Sequence, residues 1–315
     1  MHFFLIQTIF SIFGVVLNVI LIFMVFFKLS SNSACCSAVI IVKAVVDILI
    51  AAVAGLLLER ILSTGDSVII IFTGLCFSHF SCFTGHIFLN SFHQFNLIWM
   101  VASYLFRHCI LYRKSPTPKI VGFSVVTISL PLLIHNIIWI NLFTENTSFT
   151  APKIFSKPGD LVLAGWVIQV SSEVVLASLG VSGLLVLGFY FVVRSSLMGF
   201  LRRNLARLSK RSFIYNSRLL KTIHLQSLIP IFISSGTFIF FSMHYYILDP
   251  IQVQFLPILL YTISTVISPI SYILFLPPDG NLCFGVSKNL KSKMNAIESV
   301  TQTVTNNGVH DVSVF

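Results

Sequence analysis

The chain has 315 residues, of which 56% are hydrophobic and only 10% charged, and its mean hydropathy is +0.93. Soluble domains carry about 25% charged residues, so a soluble globular fold is excluded. The long apolar runs argue equally against an outer-membrane barrel, whose strands alternate polar and apolar positions over about 10 residues.

Seven apolar runs follow one another: Phe3–Phe27, Cys36–Leu58, Phe83–Phe106, Ile120–Ile140, Leu161–Val193, Thr222–Ile247 and Phe255–Leu276. Each reaches the roughly 20 residues that a helix needs to cross a bilayer. The fifth is too long for one crossing, so its helix is expected over 170–193, with part of Leu161–Ser172 belonging to the preceding loop. Val68–Phe72 is too short to cross. Phe3–Phe27 reads as a first span and not as a cleaved leader. It exceeds the 7–15-residue apolar core of a signal peptide and lacks a basic segment before it. The expectation is an all-α integral membrane protein, a seven-transmembrane helix bundle over residues 1–280 with a polar tail over 281–315.

Cytoplasmic loops are enriched in Lys and Arg, which fixes the expected orientation. With the N-terminus outside and the C-terminus cytoplasmic, the inner side carries Lys28, Arg107, Arg113, Lys114, Lys119, eight basic residues from Arg194 to Lys221, and Lys288, Lys291 and Lys293. Arg60, Lys153 and Lys157 fall outside and Lys43 within a helix. The net charge of +10 is thereby explained by topology and by the anionic lipid of the inner leaflet, and no nucleic-acid partner is implied.

In the second run, Lys43 and Asp47 are one helical turn apart and can pair on one face. Alternatively, Lys43 extends to the interface and leaves Asp47 alone inside. The third run, Phe83–Phe106, has 24 residues without a formal charge, a rise of about 36 Å. Within it His86, Asn90 and His93 share one helical face. Polar groups in lipid turn toward a bundle interior or a wet cavity, so this face either lines a ligand site or hydrogen-bonds to neighbouring helices. Zinc binding by His86 and His93 is disfavoured by their spacing and the lack of a third ligand.

Glu173 is the one acid of the fifth run, placed either to meet a ligand cation or a histidine of the third span, or to sit at the interface. Pro230 in the sixth run and Pro269 in the seventh interrupt the backbone ladder and offer hinges. His244, Tyr245 and Tyr261 stand near the outer ends of these runs, as pocket walls or as interfacial aromatics. Leu197, Leu201, Leu205 and Leu208 give the basic third cytoplasmic loop an amphipathic spacing, suited to lipid or to a docking partner that would meet Arg202, Arg203 and Arg207.

Asn146-Thr147-Ser148 is a glycosylation acceptor triplet on the expected outer side. Of the six cysteines, only Cys76 and Cys82 face the oxidising side, either joined as a disulfide or as two free thiols. Cys283 stands at a juxtamembrane position open to palmitoylation. The chain carries no nucleophilic triad, metal cluster or phosphate-binding loop, so neither an enzyme nor a cofactor is expected.

Several stretches in order resemble a known family. They are Gly14-Val15-Val16-Leu17-Asn18, Glu59-Arg60-Ile61-Leu62, Gly74-Leu75-Cys76 with Cys82, and Ser103-Tyr104-Leu105-Phe106-Arg107. Ser217-Arg218-Leu219-Leu220-Lys221, His224 to Pro230 and Pro269 to Pro277 complete the set. Together they resemble the nematode serpentine G-protein-coupled chemoreceptors of the Srd type. The resemblance implies a chemosensory receptor of the plasma membrane, in a sensory cilium, that binds a small environmental molecule and activates a heterotrimeric G protein. It leaves homo- or hetero-oligomers open. It also implies that Arg107 matches the arginine of the rhodopsin-like DRY motif, and that Pro269 and Tyr272 match NPxxY. This chain departs from those patterns, with Phe106 where the acid stands and Ser268 where the asparagine stands. The competing expectation is a seven-helix transporter or ligand-gated channel subunit.

Overall fold

The computed structural model describes residues 2–28, 34–63, 68–75, 77–112, 117–146, 161–164, 166–203, 218 and 220–275. The apolar runs form long helices: α1 His2–Lys28, α2 Ala34–Leu57, α3 His79–Tyr112, α4 Pro118–Asn146 and α5 Trp166–Arg203. α6 spans Leu228–His244, α7 is the single turn Pro250–Val253, and α8 spans Leu256–Phe275. Among the described residues, six segments are long and apolar enough to cross a membrane: Phe3–Phe27, Ser37–Leu57, Pro118–Phe143, Ile168–Gly199, Leu220–His244 and Pro250–Phe275. α3, with 34 residues, is long enough but less apolar, because His86, Asn90, Ser91, His93, Gln94 and Asn96 interrupt it. Those same residues explain its place, since a helix too polar for lipid belongs inside.

The packing order bears this out. α1 packs on α2 and α8, α2 on α3 and α4, α3 on α4 and α5, α5 on α6, and α6 on α8. α8 closes the ring against α1 and α2. Gly14 permits the close approach of α1 to α8, since a Cβ there would lie 2.6 Å from Thr265 Oγ1. Asn18 then bridges the helices, its Nδ2 donating to the Gly14 carbonyl at 2.8 Å and to the Thr265 carbonyl at 3.1 Å. Phe3 stacks on Phe255 at 5.0 Å, while Tyr272 clusters with Leu21, Val25, Ile40 and Ala44. α1 and α8 therefore run in the same direction, as the first and last of an odd number of crossings must.

A small sheet covers the end of the bundle at which α1 begins. β1 Glu59–Ser63, β2 Val68–Phe72 and β3 Leu161–Ala164 form an antiparallel sheet in the order β1-β2-β3. The sequence left Val68–Phe72 without an element and placed Leu161–Ser172 partly in a loop. The β-branched run Val68-Ile69-Ile70-Ile71-Phe72 suits a buried strand, and all five of its residues are buried. Taking up Leu161–Ala164 as a strand lets α5 begin at Trp166, before the expected residue 170. Side chains alternate across the sheet. Ile61, Val68, Ile70, Phe72 and Leu163 join the bundle core, while Leu62, Ile69, Ile71 and Val162 form a separate buried cluster.

The turn out of α2 positions β1. Leu58 has a left-handed backbone, φ 43°, the conformation that commonly ends a helix. The last carbonyls of α2, which have no partner within the helix, accept from the chain returning toward α3. Thr73, Gly74 and Leu75 donate to Leu58, Leu57 and Leu56 at 3.4, 3.1 and 2.7 Å. Gly74 is required here, because a Cβ would stand 2.0 Å from the Leu56 carbonyl oxygen. At the other end, the helical ladder leading into α6 breaks at Ser227, ahead of Pro230. A proline has no N–H to donate and its ring crowds the carbonyl four residues earlier.

Candidate functional site

The site is assembled on one face of α3. His86, Asn90, His93 and Asn96 recur every three or four residues, one above another on a helix, and none is more than 2% exposed. The stripe meets a different neighbour at each level, and the top level is met by the sheet.

Glu59 is the first residue of β1, and its carboxylate is fully buried. His86 Nδ1 lies 2.9 Å from Glu59 Oε2, and Asn90 Nδ2 lies 3.0 Å from His86 Nε2. With an amide nitrogen facing it, Nε2 can only accept, so the imidazole proton sits on Nδ1 and is donated to Glu59. Glu59 Oε1 has no hydrogen-bond partner. On the same face of β1, Ser63 Oγ lies 3.0 Å from His244 Nδ1 at the end of α6. Arg60 alternates to the other side, reaching Gln254 at 3.4 Å and lying 5.9 Å from the ring centre of Phe255.

One level deeper, His93 faces Tyr261 of α8, with ring centres 5.3 Å apart, and its Nδ1 has no partner. The Tyr261 hydroxyl shares a 2.9 Å hydrogen bond with Thr237 of α6. Gly236 makes room for the ring, since a Cβ there would come within 2.5 Å of it. α3, α6 and α8 thus converge around His93. Deeper still, Asn96 Nδ2 donates to Asp47 Oδ1 at 2.8 Å, and Lys43 Nζ donates to both Asp47 oxygens at 2.7 and 2.6 Å. Lys43 is 3% exposed and Asp47 fully buried. Of the two arrangements open to Lys43 and Asp47, the structure adopts the interior pair.

The remaining candidates are dispersed. Glu173 is half-buried and accepts from Gln169 of its own helix at 3.1 Å, not from a histidine of α3. Tyr245 is 68% exposed at the end of α6, away from the stripe. Cys82 is buried and disulfide-bonded, while Cys76 lies outside the described residues. Asn146 ends α4, and Thr147 and Ser148 lie outside the described residues. Among the described residues no group of three or more His, Cys, Asp and Glu side chains is placed to hold a metal ion.

At the opposite end, Arg107 lies in the last turns of α3 and Arg202 in the last turn of α5, with their side chains outside the described residues. Arg203 is exposed and Arg207 lies outside the described residues. Pro230, Pro269 and Tyr272 are buried. Three helical segments are tied together here by side-chain hydrogen bonds. The Tyr190 hydroxyl of α5 lies 2.7 Å from Nδ1 of His224, in the helical turn that leads to α6, and His108 Nε2 of α3 lies 3.3 Å from Ser196 Oγ of α5.

Sequence reasoning named three of the four stripe residues and Tyr261, and missed Glu59, Asn96 and Thr237 as their partners. The signal for Asn96 was its continuation of the 86, 90, 93 series. Glu59 carried none beyond being an acid directly after an apolar run.

A ring of membrane-length helices around one polar, buried third helix is the architecture of a seven-helix integral membrane protein. The family model described as serpentine type 7TM GPCR chemoreceptor Srd matches residues 3–278. The chain therefore belongs to the Srd family of serpentine chemoreceptors, a multi-pass membrane family of receptors and not of enzymes. It is 33% identical to serpentine receptor class delta-28 of Caenorhabditis elegans, covering 92% of this chain and 91% of that one. With delta-26 and delta-31 of the same organism the identity is 32% and 30%, over 96% of this chain and 98% and 96% of theirs.

Removing one partner of a buried ion pair strands the other charge, at a cost of about 3–5 kcal/mol, while replacing both with apolar side chains is often neutral. Asp47→Ala is thus expected to lower the thermal unfolding midpoint of the purified protein markedly. The double variant Lys43→Met with Asp47→Leu should recover most of that loss.

Proposed function

We propose that this protein is a G-protein-coupled chemosensory receptor that takes a small environmental molecule beneath the three-stranded sheet. The observation that carries the reading is the buried polar stripe, in which Glu59 Oε1 and His93 Nδ1 keep unused hydrogen-bonding capacity. Buried polar atoms are nearly always paired, so a carboxylate oxygen and a ring nitrogen left over on adjacent levels, above the further orphan Asn96 Oδ1, mark a place built for a further partner.

Orientation supports the reading. Arg107, Arg194, Arg203, Arg218 and Lys221 all lie toward the end away from the sheet. The excess of basic residues marks the cytoplasmic side, so the sheet faces the environment and Arg107 faces the cell. A ligand shifts an equilibrium only by binding the two states with different affinity. Here it would do so through α3, α6 and α8, which meet at His93 and Tyr261. The break at Ser227 and Pro230 and the proline in α8 let the far ends move. The sequence offers no carboxylate at Phe106 or over residues 218–224 to pair with Arg107, and the Tyr190 to His224 contact between α5 and the turn leading into α6 takes that place.

Both ends of this mechanism are testable in cells expressing the receptor with a heterotrimeric G protein. Arg107→Ala, at normal surface expression, is expected to abolish ligand-evoked activation, and full signalling by that variant would contradict the role. Tyr190→Phe removes the hydrogen bond to His224, worth about 1 kcal/mol, together with the long 3.4 Å contact from Arg194 of its own helix. Basal activity should therefore rise about fivefold, and an unchanged or lower basal level would contradict the latch.

A further inference from the structure

We infer that Glu59 is the recognition point for a protonated amine, so that the ligand class is small organic amines. The inference rests on the receptor reading above and names the chemistry of the site.

Glu59 is buried, and its two carboxylate oxygens are used unequally. Oε2 takes the Nδ1 proton of His86, and Oε1 takes nothing. His86 engages only Oε2, and its other nitrogen faces Asn90 Nδ2 at 3.0 Å, so it has nothing left to offer Oε1. The cation beside it on β1 and the one buried in α2 are committed elsewhere. Arg60 reaches Gln254 and the face of Phe255, and Lys43 is held by Asp47. An uncompensated buried carboxylate is costly, and a hydrogen-bonded cation is the group that offsets it best.

The surroundings fit such a cation. β1 packs against α6 and α8 as well as α3 carries its histidine partner, so a molecule at Oε1 sits among the helices that meet at Tyr261. The Tyr261 ring and the His93 imidazole, 5.3 Å apart, offer an aromatic wall of the kind that attracts an ammonium group and the carbon beside it. His93 Nδ1 remains for a second polar group on the ligand. An acid would be repelled by Glu59. An alcohol would gain one neutral hydrogen bond and leave the charge in place.

The test uses the full-length receptor in lipid nanodiscs, with butylamine, isobutylamine and 2-phenylethylamine as probes. The matched alcohols and N-acetyl derivatives serve as neutral controls, and binding is read by the shift of the unfolding midpoint. In the wild type, at least one amine should bind at least tenfold more tightly than its alcohol and its N-acetyl derivative. Glu59→Gln should erase that preference, lowering amine affinity at least tenfold while changing alcohol binding less than threefold. Should Glu59→Gln fail to fold, the wild-type comparison alone decides, since it needs no variant. Equal binding of amines and alcohols, an amine preference that survives Glu59→Gln, or no binding by any amine would overturn the proposal. Each sample is also assayed for G-protein activation. Amine binding without activation would leave the ligand class standing and remove the receptor mechanism, while activation by a non-amine would do the reverse.

Discussion

Lipid offers no hydrogen bonds, and this one fact arranges the molecule. Every polar group at membrane depth must find a protein partner or a protected cavity. α3 carries more such groups than any other described helix, so it is enclosed by α2, α4 and α5 and faces α8 across Tyr261. The helices around it can be nearly uniform in hydropathy because they face lipid on one side. α4 shows the extreme, with Phe123, Val126, Leu130 and Ile137 all more than half exposed. The ring is thus sorted by polarity before any individual contact is considered.

Within that frame, the two carboxylates of the stripe differ in how fully they are used. At the base, Lys43 holds both oxygens of Asp47 and Asn96 donates to one of them. At the mouth, Glu59 is bonded through Oε2 alone. Each level keeps one buried atom without a partner, Glu59 Oε1, His93 Nδ1 and Asn96 Oδ1, but only at the mouth is that atom a carboxylate oxygen. The sheet makes this possible, because it brings a carboxylate over the mouth from a strand and not from a helix. Leu58 and Gly74 matter for that reason, although neither touches the stripe. They set the direction in which the chain leaves α2 and returns to α3.

Much of this architecture was legible in the sequence. The seven apolar runs and the inward face of α3 follow from hydropathy and helical period, which act locally and leave a direct trace. The pairing of Lys43 with Asp47 was one of two stated outcomes, and burial decides it. The sheet left a weaker trace. Val68–Phe72 and Leu161–Ala164 are five and four residues long, and nothing local says that segments so far apart should pair. Glu59 was hidden for the same reason. Its role depends on a strand that forms only when β2 and β3 are present, so an acid that reads as a loop residue becomes the most deeply buried charge at the mouth. For Glu173 and Tyr245 the sequence left a pocket and an interfacial place equally open, because proximity to a helix end fits both. Glu173 accepts from Gln169 of its own helix and Tyr245 is largely exposed.

The claim beneath all of this is that the polar face of α3 is turned away from lipid, and photolabelling with a diazirine-bearing lipid tests it without altering the chain. In reconstituted bilayers, mass-spectrometric mapping should place adducts on Ile98 and Leu105, which are 42% and 48% exposed. His86, Asn90, His93 and Asn96 should remain unlabelled. Adducts on those four positions, with Ile98 and Leu105 protected, would show that the helix is turned the other way and would contradict the account from its foundation upward.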